Sequence, residues 1–366
     1  MRPIVVAIGH RPRVSLRILV VSTMRPTPAA PQFGIFVARQ AEALVRLGAQ
    51  VTSVGAERGP RGVLRTPSRY ARLAGRAVAA ARRTRPEVVV GHFLVPGGEV
   101  ARLAARAARA PYVLVAHGQD VTNAETSGPL RRLTQRALDG ADALVVVAPS
   151  LEDRLRAVVR VGCPVAVIDV GVDRRIFHPG DRDVAAHALG PEPDRPLVVQ
   201  VGNLIDRKNP VRLAEAVALL RERRGAGELW IAGDGPLAGR LAEASHVRLL
   251  GAVAPDDIPR VLRAADCAAL VALREGYGLG AIEAVACGVP TVVSAGIPVA
   301  ADLPVEAAVA VEPESVVAIA DGLERALGLP RNAPAGQAVA DEHALDRQAD
   351  RLLEVLARVV EDRAGR

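Results

Sequence analysis

Twelve short apolar runs, separated by helix-length stretches, constrain this chain more than any single residue does. The first six are Leu16–Ser22, Gln50–Gly55, Glu87–Gly91, Tyr112–His117, Ala143–Ala148 and Val165–Val170. The second six are Leu197–Val201, Leu229–Ala232, Val247–Leu250, Cys267–Ala272, Thr291–Ser294 and Ala308–Val311. Helical periodicity fills the gaps, as in Ile35–Leu47, Gly98–Arg109, Leu130–Leu138 and Leu151–Val159. Runs that are apolar throughout, rather than alternating, are strands buried on both faces, and that means parallel sheets covered by helices. The chain therefore reads as α/β, with two doubly wound Rossmann-like domains facing a cleft and ligands at the carboxyl ends of the strands. Its 366 residues, half of them hydrophobic, suffice for two separate cores.

Gly180–Arg195 is rich in Pro, Gly, Asp and Arg and marks the break between the two series. The expected division is a first domain at 16–180, a linker at 181–195, a second domain at 196–340 and a terminal helical segment at 341–366. Residues 1–15 read as an extension or an upstream start. Arg and Pro interrupt their short apolar stretch, which makes a poor signal peptide. Cys163, Cys267 and Cys287 are widely spaced, without a paired or metal-binding pattern, and are expected as buried thiols in a reducing compartment. No apolar run reaches the roughly 18 residues of a membrane span. The expected location is cytoplasmic.

Chemistry concentrates in Arg274-Glu275-Gly276-Tyr277-Gly278-Leu279-Gly280-Ala281-Ile282-Glu283. Two carboxylates stand eight positions apart, bridged by a glycine-rich turn between a strand and a buried helix. Backbone N–H groups at such a helix start can meet an anion, and the carboxylates can grip hydroxyls. That combination suits a sugar nucleotide. Lys208 is the chain's one lysine, while its other 46 basic residues are arginine. Where arginine has replaced lysine everywhere else, the survivor points to a need for a compact point charge. It follows a strand and precedes a helix that Asn209 can cap and Pro210 can start, an arrangement for a diphosphate.

The segment EGYGLGAIEAVACGVPTVV resembles the donor-binding signature of the retaining GT-B glycosyltransferases of family 4, commonly EGFGL…EAMACG.PVV. The resemblance implies that Glu275 lies near the transferred sugar, that Glu283 binds the ribose, and that Gly278 and Leu279 meet the diphosphate. The segment Val201-Gly202-Asn203-Leu204-Ile205-Asp206-Arg207-Lys208 is similar to the family's VGRL…KG. Lys208 matches; Asn203 stands where the family has arginine, and Arg207 is the candidate to supply that charge. Gly171-Val172-Asp173 with Phe177 and Pro179, and Gly233-Asp234-Gly235-Pro236, match two family turns. His117-Gly118-Gln119-Asp120 looks like the family's HGSD. The resemblance places His117 at the donor sugar, Gly34 and Asp120 in loops at the cleft, and the terminal helix back on the first domain. It implies transfer of a hexose-type sugar with retained configuration. Fixed cations and a helix start stabilise the leaving diphosphate in that scheme, so no cofactor or metal is expected. A sugar-nucleotide epimerase and a non-catalytic sugar-nucleotide-binding protein are the alternatives.

Charge divides between the halves. Residues 1–180 carry 27 basic and 12 acidic residues, a net of +15; residues 181–366 carry 20 and 28, a net of −8. Arg65, Arg69, Arg72, Arg76 and Arg83 fall on one helical stripe, with Leu64, Tyr70, Leu73 and Val78 as apolar surface. A basic amphipathic helix of this kind is expected to dock on an anionic membrane face, with a glycan or lipid-linked acceptor nearby. Aromatics make up only 2% of the chain, too few for base stacking, so nucleic acid is not expected as a partner.

Overall fold

The computed structural model describes residues 15–57, 66–190 and 196–365. Each of the twelve apolar runs forms a strand: β1 Arg17–Ser22, β2 Gln50–Gly55, β3 Val88–His92, β4 Tyr112–Ala116, β5 Ala143–Val146, β6 Val165–Val167, β7 Leu197–Val201, β8 Glu228–Ala232, β9 Val247–Gly251, β10 Cys267–Leu270, β11 Thr291–Ser294 and β12 Ala308–Val311. All pair in parallel. They form two six-stranded sheets, ordered β2-β1-β3-β4-β5-β6 and β12-β11-β10-β7-β8-β9. Both are doubly wound, so the two Rossmann-like domains are present. The order reverses between β1 and β3 in the first sheet and between β7 and β10 in the second. At such a switch point the flanking connections leave in opposite directions and open a crevice at the strands' carboxyl ends.

The chain divides into two compact units: residues up to Gly171 together with Leu345–Arg366, and Val172–Ala344. In the first, Ile18, Val20, Val88, Val90, Val113 and Val145 build a core with Leu44 of the helix Ile35–Arg46. The helix Leu345–Ala364 buries Leu345, Ala349, Leu352, Leu356 and Val359 in the same core. Their alternating spacing of four and three residues is one helical stripe, and each leucine contributes about 2 kcal/mol of burial. In the second unit, Val198, Leu229, Ile231 and Val292 pack with Leu213, Leu220 and Leu323 from the helices Pro210–Arg224 and Val316–Ala326.

The division falls before the expected residue 180, for a reason remote in sequence. Arg174 donates to Phe177 O and Ala286 O and pairs with Asp341; Arg263 donates to Ile176 O and His178 O. These bonds place 172–180 in the second unit. The stretch expected as linker also contains a helix, Arg182–Leu189, capped by Asp181 accepting from Val184 N and closed by left-handed Gly190. Residues 1–14, most of the expected extension, lie outside the described residues. Cys267 and Cys287 are buried, and burial pushes both thiols up to about 12; Cys163 is half-buried rather than buried. Among the described residues, no helix is long and apolar enough to cross a membrane.

Candidate functional site

The second unit's candidate residues gather at its switch point. The chain leaves β7 at Gly202, packed so closely on Gly233 after β8 that a Cβ on Gly233 would overlap Gly202 O. A short turn, Asp206–Lys208, follows. Gln200 Nε2 holds Lys208 O at 2.9 Å, and the lysine stem runs past Gly202. Lys208 Nζ forms an ion pair with Glu275 Oε1. Arg207 Nη1 lies 3.3 Å from Glu275 Oε2 and donates to Arg274 O at 2.8 Å. The three side chains are 13–33% exposed. Two cations thus share one carboxylate in a half-buried recess, leaving an excess positive charge.

Asn203 is exposed. Asn209 does not cap its helix as expected. Its backbone is left-handed, and its amide donates to Val271 O at 3.1 Å and Pro313 O at 2.7 Å. It pins the cation-bearing turn to the end of β10 instead. Pro210 does occupy the first helical turn.

After Glu275 the chain turns at Gly278 into the helix Leu279–Ala286, which has no side-chain cap and no acid in its first turn. The N–H groups of Leu279 and Gly280 therefore have no intrahelical partner, while that of Ala281 donates to Gly278 O at 3.0 Å. Gly278 has φ +115°, and a Cβ there would come within 2.5 Å of Val299 Cγ1. Tyr277 anchors the turn: its hydroxyl donates to Asp302 Oδ2 at 2.9 Å and lies 3.0 Å from His343 Nδ1. Glu283 follows on the helix, half-buried. Gly278→Ala should cost about 2–3 kcal/mol of stability through backbone strain and the Val299 overlap. Urea unfolding measures it; an unchanged midpoint would contradict this account of the turn.

In the first unit, β4 ends at Ala116 and His117 opens the following turn, half-buried. Asp120 is 3% exposed, and its carboxylate accepts from the N–H groups of Leu94, His117, Gly118 and Val121. Burial pushes this carboxyl up from its ordinary value, against the pull of those donors. Asp120 therefore ties the loop after β3 to the turn at His117 instead of standing open to a ligand. Gly34 has φ +80° at the start of its helix, and a Cβ there would meet Met24 Cβ at 2.7 Å. The close approach that Gly34 admits is that of Met24. Sequence reasoning missed His92, whose Nδ1 lies 3.0 Å from His117 Nε2. The available signal was a polar residue ending an all-apolar strand beside a switch point. Phe36 and Phe93 flank the His117 ring at 5.0 and 4.7 Å.

Burial lowers His92 to about 3, and burial together with His92 holds His117 well below its ordinary value. Both pKa values are depressed relative to the unfolded chain, where protons bind near 6.5. Their contribution to stability is thus complete above pH 6.5 and lost as pH falls towards the folded values. From pH 7 to pH 5, His92 alone should cost about 2 kcal/mol. Urea titrations at both values, with His92→Asn as control, check this; a flat wild-type profile would contradict it.

The basic helix is Thr66–Thr84; Arg65 and Leu64 lie outside the described residues. Leu73, Ala77, Ala80 and Ala81 are buried, so its apolar face packs within the first unit and is not free for lipid. Arg69 donates to Thr23 O at 3.1 Å and lies over the Phe33 and Tyr70 rings. Arg76 reaches Gly55 O at 3.5 Å, while Arg72, Arg76, Arg82 and Arg83 are exposed. The expected stripe survives as charge, without the apolar half of a membrane-binding helix.

Residues 34–175 match the family described as Glycosyltransferase Family 4, and residues 181–338 match Glycosyl transferases group 1. D-inositol 3-phosphate glycosyltransferase of Mycobacterium marinum is 33% identical over 237 residues, 60% of this chain and 51% of that protein. The chain thus spans about half the length of the curated relatives it matches. Sucrose-phosphate synthase from Thermosynechococcus elongatus superposes with a TM-score of 0.79 at 19% identity, covering 94% of this chain and 100% of that one. HepE of Anabaena, in complex with UDP and glucose, gives 0.74 at 18% identity, covering 93% and 99%. The fold agrees with these matches: the chain belongs to the family 4 glycosyltransferases and has their GT-B fold.

Proposed function

We propose that this protein transfers a sugar from a nucleoside-diphosphate sugar to a glycan or lipid-linked acceptor, with retained configuration and without a metal. The observation that carries the reading is the convergence of Lys208 and Arg207 on Glu275 at the second switch point. A diphosphate entering there would take Glu275's place on the two cations and meet the free N–H groups at Leu279 and Gly280. Arg207 stands in for the family arginine that Asn203 replaces. Glu275, released, would accept hydrogen bonds from sugar hydroxyls, and Glu283 from the ribose. As the bond from the anomeric carbon to the diphosphate breaks, its electron pair passes to the phosphate oxygen. Lys208 and Arg207 stabilise that charge. The acceptor oxygen bonds to the anomeric carbon, and its proton goes to the departing phosphate. His117 is proposed to hydrogen-bond a sugar hydroxyl.

Two fixed cations supply the charge stabilisation that a metal would otherwise give, which supports the metal-free reading. Melting shifts with UDP, GDP and ADP test donor binding. Turnover in the presence of a chelator, followed by the anomeric signal of the product, tests the chemistry. Binding without turnover would favour the non-catalytic sugar-nucleotide protein. We also propose an anionic membrane face as the setting, on charge alone, with Arg72, Arg82 and Arg83 exposed. Sedimentation with phosphatidylglycerol vesicles tests it; equal recovery with neutral vesicles would contradict it.

A further inference from the structure

We propose that His92 is a positioning residue for His117, holding its imidazole in one tautomer with Nε2 occupied and Nδ1 left for a ligand hydroxyl. The inference rests on the reading of His117 as the first unit's site residue. His92 Nδ1 and His117 Nε2 are 3.0 Å apart, and the ring planes differ by 18°. The ring centroids are 5.2 Å apart, near the greatest separation that this contact allows, so the bond lies close to the plane of both rings, where a ring nitrogen's lone pair or proton points.

One proton serves that bond, so one ring donates and the other accepts. Burial keeps both rings uncharged at neutral pH. A neutral imidazole in water exchanges freely between two tautomers. Here the bond couples the two rings: His117 changes tautomer only if His92 changes with it, and burial keeps His92 from exchanging its proton freely with water. His92 is 1% exposed and ends β3, in register with Ser22 of β1 and Val115 of β4. Among the described residues, the remaining surroundings of His117 fix its place without competing for the ring nitrogens. Phe36 and Phe93 are apolar walls, and Asp120, the carboxylate at this turn, is spent on backbone N–H groups, that of His117 included. A histidine buried at the position of His92 costs desolvation that a phenylalanine would avoid, and the bond to His117 offsets that cost.

Nitrogen-15 spectra of the histidine rings in the ligand-free chain decide the matter. The proposal predicts a single tautomer for His117 at neutral pH. In His92→Phe the ring should average between tautomers. In His92→Asn, whose amide group lies near the place of the histidine Nδ1, the single tautomer should return. An averaged His117 in the wild type, or an unchanged single tautomer in His92→Phe, would overturn the proposal. The wild-type spectrum and His92→Asn keep it testable if His92→Phe does not fold. Release of UDP from UDP-glucose should fall about tenfold in His92→Phe, the scale of losses at outer partners of site histidines, and recover in His92→Asn. His117→Ala separates the two readings. Undiminished release there refutes His117 as a site residue, whereas a loss there with none in His92→Phe refutes the positioning role alone.

Discussion

Glu275→Gln should separate binding from transfer. Nucleoside diphosphate should bind at least as tightly as to wild type, by up to about tenfold or 1.4 kcal/mol. Transfer from the intact donor should fall about a hundredfold or more. The Glu275 carboxylate sits on Lys208 and Arg207, where an incoming diphosphate would displace it. Glutamine keeps the shape and removes the competing charge, so the free diphosphate gains. The transferred sugar loses a carboxylate acceptor, which a neutral amide replaces with a weaker bond. Calorimetry with the diphosphate and steady-state turnover give the two numbers independently. If affinity and turnover fall together, Glu275 acts as a structural counter-ion and not as a sugar ligand displaced on binding.

Lys208→Ala should reduce nucleoside-diphosphate affinity by about a hundredfold to a thousandfold, the range for truncating one partner of a desolvated charge pair. Lys208→Arg should not restore it. The lysine stem lies against Gly202, and its backbone carbonyl is held by buried Gln200. A planar guanidinium presents a fixed fork in place of one rotating ammonium. Competitive displacement of a fluorescent nucleotide measures both variants. Full recovery with arginine would mean that only the net charge matters there.

What the sequence made legible follows the range over which each determinant acts. Parallel strands are apolar on both faces, so all twelve stood out, and their double winding followed. The places of Lys208, Glu275 and Gly278 beside the second switch point were legible because each lies five to eight residues after a strand's end. The unit boundary was not, because Arg174 and Arg263 hold 172–180 through bonds to residues about 90 to 170 positions away. Asn209 had the composition of a cap, but two carbonyls brought in by other elements hold its amide N–H groups and its Oδ1 accepts from Arg212. The stripe through Arg69 and Arg76 had the periodicity of a lipid-facing helix. Its apolar face was already committed to the first unit's core, and periodicity does not distinguish those two uses. His92 was hidden for a related reason: a histidine closing an apolar strand gains meaning only from the neighbouring strand that brings His117 to it.

The central claim is that the second switch point holds a diphosphate between Lys208 and the helix start at Leu279. Calorimetric titration of UDP against UMP, with the guanosine and adenosine pairs alongside, isolates the contribution of the β-phosphate. The account predicts that one diphosphate binds wild type far more tightly than its monophosphate, and that this difference vanishes in Lys208→Ala. Equal affinities for diphosphate and monophosphate in the wild type, or a difference that persists without Lys208, would contradict it.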